Sequence, residues 1–298
     1  MKARFLLPGS TYLLTRRCTQ RQFWLKPSPL TNWIFSYCVA VAAARYQIQV
    51  HAICVLSNHW HAVVTDPHAQ LPKFLWWVHL YVAKCVNASH GRWENMWSSE
   101  PTSVVRLETD RDVFDKIVYC LVNPVAAGLV AHGEKWPGLR TSPMELAGAE
   151  AEVERPKVLF REDGPTDKTA VLRIVRPPIM AMLTDAQFAE RIAAEVAAQE
   201  AAIRDDFARK QRRFLGVRAV LRQFPYDRPR SKEPRCELSP RVAAKDKESR
   251  IAALRRLKAF WKAYREALRS WRQGWREVVF PAGTYAMRVL HRAACAPP

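Results

Sequence analysis

The stretch QIQVHAICVLSNHWHAVVTD, residues 47–66, limits what this chain can fold into more than any other. Two apolar runs flank Ser57-Asn58, a dipeptide suited to a tight turn because Asn tolerates unusual backbone angles. The pattern predicts a β-hairpin, its first strand over 47–56 and its second beginning at the turn. Successive side chains of a strand leave on opposite faces, so His59 and His61 project together while Trp60 points the other way. Paired imidazoles are the geometry of a metal site, although the same triplet arises where a half-exposed strand alternates polar and apolar residues.

The segments around the hairpin extend the pattern. STYLLTRRC, residues 10–18, predicts a first strand, and a helical stretch follows over about 30–45. After Asp66-Pro67, the apolar positions Phe74, Leu75, Val78, Tyr81, Val82 and Cys85 recur at helical spacing and predict a helix over 71–89. TSVVRLETD, residues 102–110, reads as a strand, and a third helix opens with Thr109 or Asp110 as its N-cap. The order β, α, β-hairpin, α, β, α predicts an α+β fold: a mostly antiparallel sheet with helices packed on it, not a doubly wound parallel sheet.

Helical periodicity fails at 142–165, where Pro, Gly and charged residues accumulate. Three parts are therefore expected: a first domain over 1–142, a linker over 143–165, and a basic, mainly helical region over 166–298. That last region predicts a strand at 168–178 and helices over 185–214 and 246–275, joined by the proline-rich, basic FPYDRPRSKEPRCELSP.

Charge then narrows the partners. The 298 residues carry 47 Lys+Arg against 28 Asp+Glu, a formal net charge of +19, and most of the excess lies beyond residue 150. Such a balance fits a polyanion such as nucleic acid, with an acidic membrane surface as the competing explanation. No uninterrupted apolar run is long enough to span a bilayer, and the apolar part of MKARFLLPGSTYLLTRR is too short for a secretory core, so a soluble, cytoplasmic and nucleoid-associated protein is expected. The seven cysteines (Cys18, Cys38, Cys54, Cys85, Cys120, Cys236 and Cys295) lack any Cys-X-X-Cys spacing, which argues against a disulfide framework or zinc knuckle.

The third helix gives the paired histidines a context. In YCLVNP, Tyr119 and Asn123 stand four residues apart and share a helical face, whereas Phe114, Ile117, Val118 and Leu121 form the apolar stripe opposite. Asp112, Asp115 and Lys116 fall on the tyrosine's side, where an ordinary amphipathic surface tyrosine is the plain alternative. Two imidazoles, an amide oxygen and a tyrosine describe a coherent site: a divalent ion acting as Lewis acid on a phosphodiester, with the phenol as nucleophile. Lys116, one turn earlier, is either the cation that lowers the phenol's proton affinity or a solvated lysine.

VHAICVLSNHWHAVV, followed by YCLVNPVAAGLV and KWPGLRTS, resembles the HUH-superfamily single-tyrosine transposases, and more narrowly the REP-associated tyrosine transposases of bacteria, over roughly residues 5–142. The resemblance implies a ferredoxin-like sandwich with His59 and His61 as metal ligands, Asn123 as the third, and Tyr119 as the nucleophile. It also implies Mg²⁺ or Mn²⁺, single-stranded or hairpin DNA as substrate, and a monomer or homodimer, both of which occur among single-tyrosine relatives. The chain departs from those relatives in GRWENMWSSEP, where Glu94 and Glu100 stand in place of basic residues, and in its long C-terminal region.

In that region Ile251, Leu254, Leu257, Trp261, Tyr264, Leu268, Trp271 and Trp275 form a stripe expected to pack as core. Arg255, Arg256, Lys258, Lys262, Arg265 and Arg269 lie between them, and with Arg16 and Arg17 of the first strand they are the expected contacts to a DNA backbone. Two other functions compete. One is a DNA-binding protein whose site is catalytically unused. The other is a His-X-His metal hydrolase, which needs further ligands that His68, His79, His90, His132 and His291 do not supply in a matching pattern and which leaves Tyr119 without a role.

Overall fold

A computed structural model describes residues 3–231 and 240–298. Cys236, named above, and most of the second half of FPYDRPRSKEPRCELSP fall outside the described residues. The hairpin forms as expected: β2 (Gln49–Leu56) and β3 (His59–Asp66) pair antiparallel around Ser57-Asn58, with Leu56 opposite His59 and Cys54 opposite His61. β1 (Ser10–Arg17) lies along the other edge of β3 and sets Arg17 against His59 and Thr15 against His61. β4 (Ser103–Leu107) pairs antiparallel with β1, and a two-residue β7 (Val242–Ala243) adds in parallel to give the order β2-β3-β1-β4-β7.

The connections explain that order. α1 (Pro29–Tyr46) links β1 to β2 and α2 (Leu71–Ser89) links β3 to β4, so each crossover leaves room for the strand of the other, as in a split βαβ pair. Each helix has a local reason to start. The Ser28 hydroxyl accepts from Thr31 N–H at 3.0 Å, with Pro29 at the first helical position. Gln70, the N-cap of α2, makes no side-chain cap bond; the buried Asp66 carboxylate instead accepts from the N–H groups of His68, Gln70 and Leu71 at 3.2, 2.9 and 2.7 Å. α3 (Asp110–Ala126) begins with a reciprocal capping box between Thr109 and Asp112.

α1 and α2 cover one face of the sheet, where the fully buried Trp60 meets Phe35 and His79 at ring distances of 5.4 and 5.8 Å. α3 covers the other face, its Cys120 thiol 3.7 Å from the His61 carbonyl oxygen. The expected α+β architecture, a mostly antiparallel sheet with helices packed on it, is the observed one.

The expected linker is not one. Residues 143–147 form a 3-10 turn, and β5 (Glu150–Glu154) pairs antiparallel with β6 (Thr169–Arg173) in a separate two-stranded ribbon beside α1. EAEVE is exposed almost throughout, so this strand lacks the alternating apolar signal that reveals a half-buried one. Nor does the core stop at residue 142: one continuous cluster runs from Leu6 through Leu146, Leu172 and Phe188 to Val220. α4 (Asp185–Arg209) packs on α3 and is followed by the short α5 (Val217–Leu221).

α6 (Lys247–Arg272) docks at the β7 edge. Its buried residues are Ala253, Leu257, Phe260 and Ala267, while Trp261, Tyr264, Leu268 and Trp271 are half-buried and Ile251, Leu254 and Trp275 stay exposed. The expected apolar stripe is thus rotated toward Phe260, which stacks on Phe5 at 4.6 Å. The second half of α6 forms a small core of its own with Phe280, Ala293 and Met287, the last from α7 (Ala286–His291). The six described cysteines are free thiols.

Candidate active site

Strand alternation, register and one helix assemble the site. His59 and His61 leave β3 on the face that α3 covers, and their ring centroids lie 4.8 Å apart at 86°. The Tyr119 ring of α3 is edge-on to His61 at 5.3 Å. One helical turn on, the buried Asn123 amide stands beside the Tyr119 hydroxyl and draws its pKa down.

The histidines are held with definite nitrogens outward. Asn58 donates its amide N–H to the Arg21 carbonyl at 3.1 Å, which turns Asn58 Oδ1 toward His59 Nδ1 at 2.7 Å. An amide oxygen only accepts, so His59 Nδ1 carries the proton and Nε2 presents its lone pair. His61 Nδ1 lies 2.8 Å from the Thr15 hydroxyl, and its Nε2 is buried without a hydrogen-bond partner among the described residues. A buried imidazole nitrogen left without a partner is costly, and a metal ion is one group that satisfies it.

The electrostatics agree with neutral imidazoles. Burial, reinforced by the nearby Arg17 and Arg21 guanidinium groups, pushes His59 down to about 4. Burial and the His59 neighbour hold His61 well below its ordinary value. Neutral imidazole is the metal-binding form. Among the described residues, however, no group of three or more His, Cys, Asp or Glu side chains comes together to hold a metal. A cation here would therefore rest on His59, His61 and the Asn123 amide oxygen.

Tyr119 is 41% exposed. Burial of its surroundings raises the phenol's pKa, and the Asn123 amide pulls it back in part. Lys116 Nζ sits over the tyrosine ring, 5.4 Å from its centroid, and so beside the π face. The phenol's shift arises from burial and Asn123, with no contribution from Lys116. Asp112 is buried, caps α3 with one oxygen and accepts from Lys245 N–H at 2.7 Å with the other. Asp115 pairs with Arg111 and Lys245.

The expected DNA-contacting cations divide. Arg16 lies opposite Trp60 in register and points under the α1/α2 face, donating to the carbonyl groups of Ser98 and Glu100. Alternation along β1 places it on the sheet face opposite to that of His59 and His61. Arg17, one residue on, lines a cavity beside His59. Arg256 pairs with Glu108, which also holds Arg106 at 2.7 Å. Arg255, Lys258, Lys262, Arg265 and Arg269 are exposed along α6, which docks at β7, the edge of the sheet opposite the β2–β3 hairpin.

Sequence reasoning missed two parts of this site. One is Thr15, which the alternation of STYLLTRR places on the same face as Arg17. The other is the approach of segment 215–231 to His59, which no local pattern signals; its Arg228-Pro229-Arg230 run reads from sequence only as a basic loop that orders on nucleic acid or stays a linker.

No protein-family model matches the sequence, and no curated protein sequence matches it. One solved structure similar to the chain is that of a REP-associated tyrosine transposase bound to a REP hairpin, at 17% identity, with a TM-score of 0.41, over 55% of this chain and 90% of that one. At that TM-score the likeness carries no weight for the site or for activity.

Proposed function

We propose that the protein is a transposase-type enzyme that cleaves and rejoins single-stranded DNA, in linear or hairpin form, through Tyr119. The observation that carries this reading is the convergence of His59, His61, Tyr119 and Asn123 on one face, with the His61 and Tyr119 rings 5.3 Å apart and His61 Nε2 lacking a partner.

The Tyr119 oxygen attacks the scissile phosphorus; the bond from phosphorus to the 3′ oxygen breaks, and a tyrosine–phosphate bond forms. The 5′ end of the DNA becomes a phosphotyrosine, and the freed 3′ oxygen takes up a proton. One phosphoester replaces another, so the 3′-hydroxyl of a second strand can reverse the exchange without an external energy source. The phenol's raised pKa means that its proton must leave as the oxygen attacks, and the Asn123 amide beside it holds the oxygen in place meanwhile. Thr15 and Asn58 fix the two imidazole planes. Held by His59, His61 and Asn123, Mg²⁺ or Mn²⁺ would neutralise charge on the phosphate oxygens. The exposed cations of α6 supply attraction to the DNA backbone that does not depend on sequence.

The test is incubation of the protein with end-labelled single-stranded and duplex DNA in Mn²⁺ or Mg²⁺, followed by denaturing electrophoresis, with Tyr119→Phe alongside. A covalent band that needs single strands, metal and Tyr119 is the expected result. Binding without any adduct would instead leave a DNA-binding protein whose site is unused.

A further inference from the structure

Beside His59 lies a cavity of about 580 Å³ that the described active-site residues do not account for. Four arginines line it: Arg17 and Arg21 from the end of β1 and the turn after it, and Arg228 and Arg230 from the far part of the chain. No carboxylate among the described residues lines it. Phe23, Leu129 and Leu215 supply an apolar wall.

The segment that closes the cavity is anchored along its length. Leu215 and Gly216 donate backbone N–H bonds at 2.9 Å to the carbonyl groups of Gly128 and Leu129, just past α3. Gly216 has φ of +87°, a conformation that a side chain would strain. The Ser57 hydroxyl in the hairpin turn donates to Gln223 at 2.5 Å, and Phe23 N–H donates to the Asp227 carbonyl at 3.1 Å. Tyr226 packs edge-on against Trp24 at 4.6 Å. Arg21 donates to the carbonyl and hydroxyl oxygens of Ser231 at 2.6 and 2.8 Å, which fixes its guanidinium at the rim. Arg228 and Arg230 are exposed and form no ion pair among the described residues.

We infer that residues 215–231, together with Arg21 and Phe23, form a cradle for the phosphodiester backbone of a DNA single strand where that strand passes His59. Arg228 and Arg230 stand exposed at this concavity, and guanidinium groups at a concave wall draw an anion into it. The volume suits a group about the size of a small-molecule ligand, such as one nucleotide, with phosphate on the arginines and a base against the apolar wall. A duplex is too wide to enter. The cradle makes the C-terminal region part of the substrate site, in addition to the exposed cations of α6. The inference rests on the proposed Tyr119 chemistry in one respect, that His59 borders the reacting phosphate.

The test separates binding from chemistry. The full-length Tyr119→Phe protein in EDTA is titrated onto a fluorescein-labelled single-stranded oligonucleotide over a salt series, with and without Arg228→Gln plus Arg230→Gln. The double substitution should weaken binding about tenfold and flatten the slope of log K against log salt by about 1.4, for two phosphate contacts at about 0.7 each. Affinity for duplex should change far less. Unchanged single-strand affinity and slope would overturn the inference, as would equal losses on single strand and duplex. Both positions are exposed, and thermal melting checks the fold; if the double variant melts early, Arg228→Gln alone is measured, with half the change in slope expected. A missing covalent adduct in the wild type would sink the cleavage reading and leave this binding result intact.

Discussion

Thr15 Oγ1 lies 2.8 Å from His61 Nδ1, across the β1/β3 register that pairs the two residues. The contact fixes one ring nitrogen of His61 and leaves the other, Nε2, buried and without a partner among the described residues. Thr15→Val keeps the shape and removes the hydroxyl. Calorimetric titration with Mn²⁺ should then show affinity reduced by roughly 10- to 100-fold, the range for a lost outer partner of a metal-bound histidine, with little change in melting temperature. Equal affinity in the two proteins would mean that Thr15 does not orient the ligand.

His51 predicts an acid limit to stability. It is fully buried at a β-bulge in β2, with Nδ1 2.7 Å from the Val175 carbonyl and Nε2 2.8 Å from the Thr65 hydroxyl, and burial pushes its pKa down to about 4. Above the ordinary histidine value of 6.5 both folded and unfolded chains are neutral here, and the group contributes no pH dependence. As pH falls from 6.5 toward 4, the unfolded chain binds a proton that the folded chain refuses, so stability declines by up to a few kcal/mol. His79, pushed down to about 3 by burial, acts in the same direction. Urea unfolding over this pH window should show the decline, and His51→Gln should lower the slope by up to one proton. An unchanged slope would mean that His51 titrates normally in the fold.

Asp66 ties β3 to α2. A fully buried carboxylate that accepts three backbone N–H bonds replaces the missing side-chain cap of that helix. Asp66→Ala should cost about 2 kcal/mol, read as a lower urea midpoint at constant m value. A cost near zero would mean that water satisfies those groups equally well.

Glu108 joins the sheet to α6. Its side chain is only 9% exposed and lies between Arg106 and Arg256. Glu108→Ala leaves Arg106 buried without its carboxylate and should cost about 3 kcal/mol, whereas Arg256→Ala, at the exposed end of the pair, should cost less than about 1 kcal/mol. Protease cleavage within α6 should rise in the first variant and not in the second. Equal effects would mean that the network does not anchor the helix.

The sheet and its first three helices were legible in the sequence because each carries a period that burial requires. The Ser57-Asn58 turn fixed which face His59 and His61 share, and the spacing of Tyr119 and Asn123 placed them together on α3. Register was not legible, and register decides that Arg16 turns under Ser98 while Arg17 turns toward the site. Asp112 shares the tyrosine's side by helical spacing, but as a first-turn acid it is claimed by the capping box with Thr109. The 150–154 strand hid because an exposed ribbon has no apolar alternation. The cavity beside His59 joins residues about 200 positions apart, beyond the reach of any local pattern.

The most direct measurement is mass spectrometry of the protein after reaction with single-stranded DNA and Mn²⁺, followed by nuclease trimming and proteolysis. The account predicts a nucleotide linked through its 5′ phosphate to Tyr119, absent in His61→Ala and in EDTA. An adduct on another residue, or its persistence without His61 and metal, would contradict it.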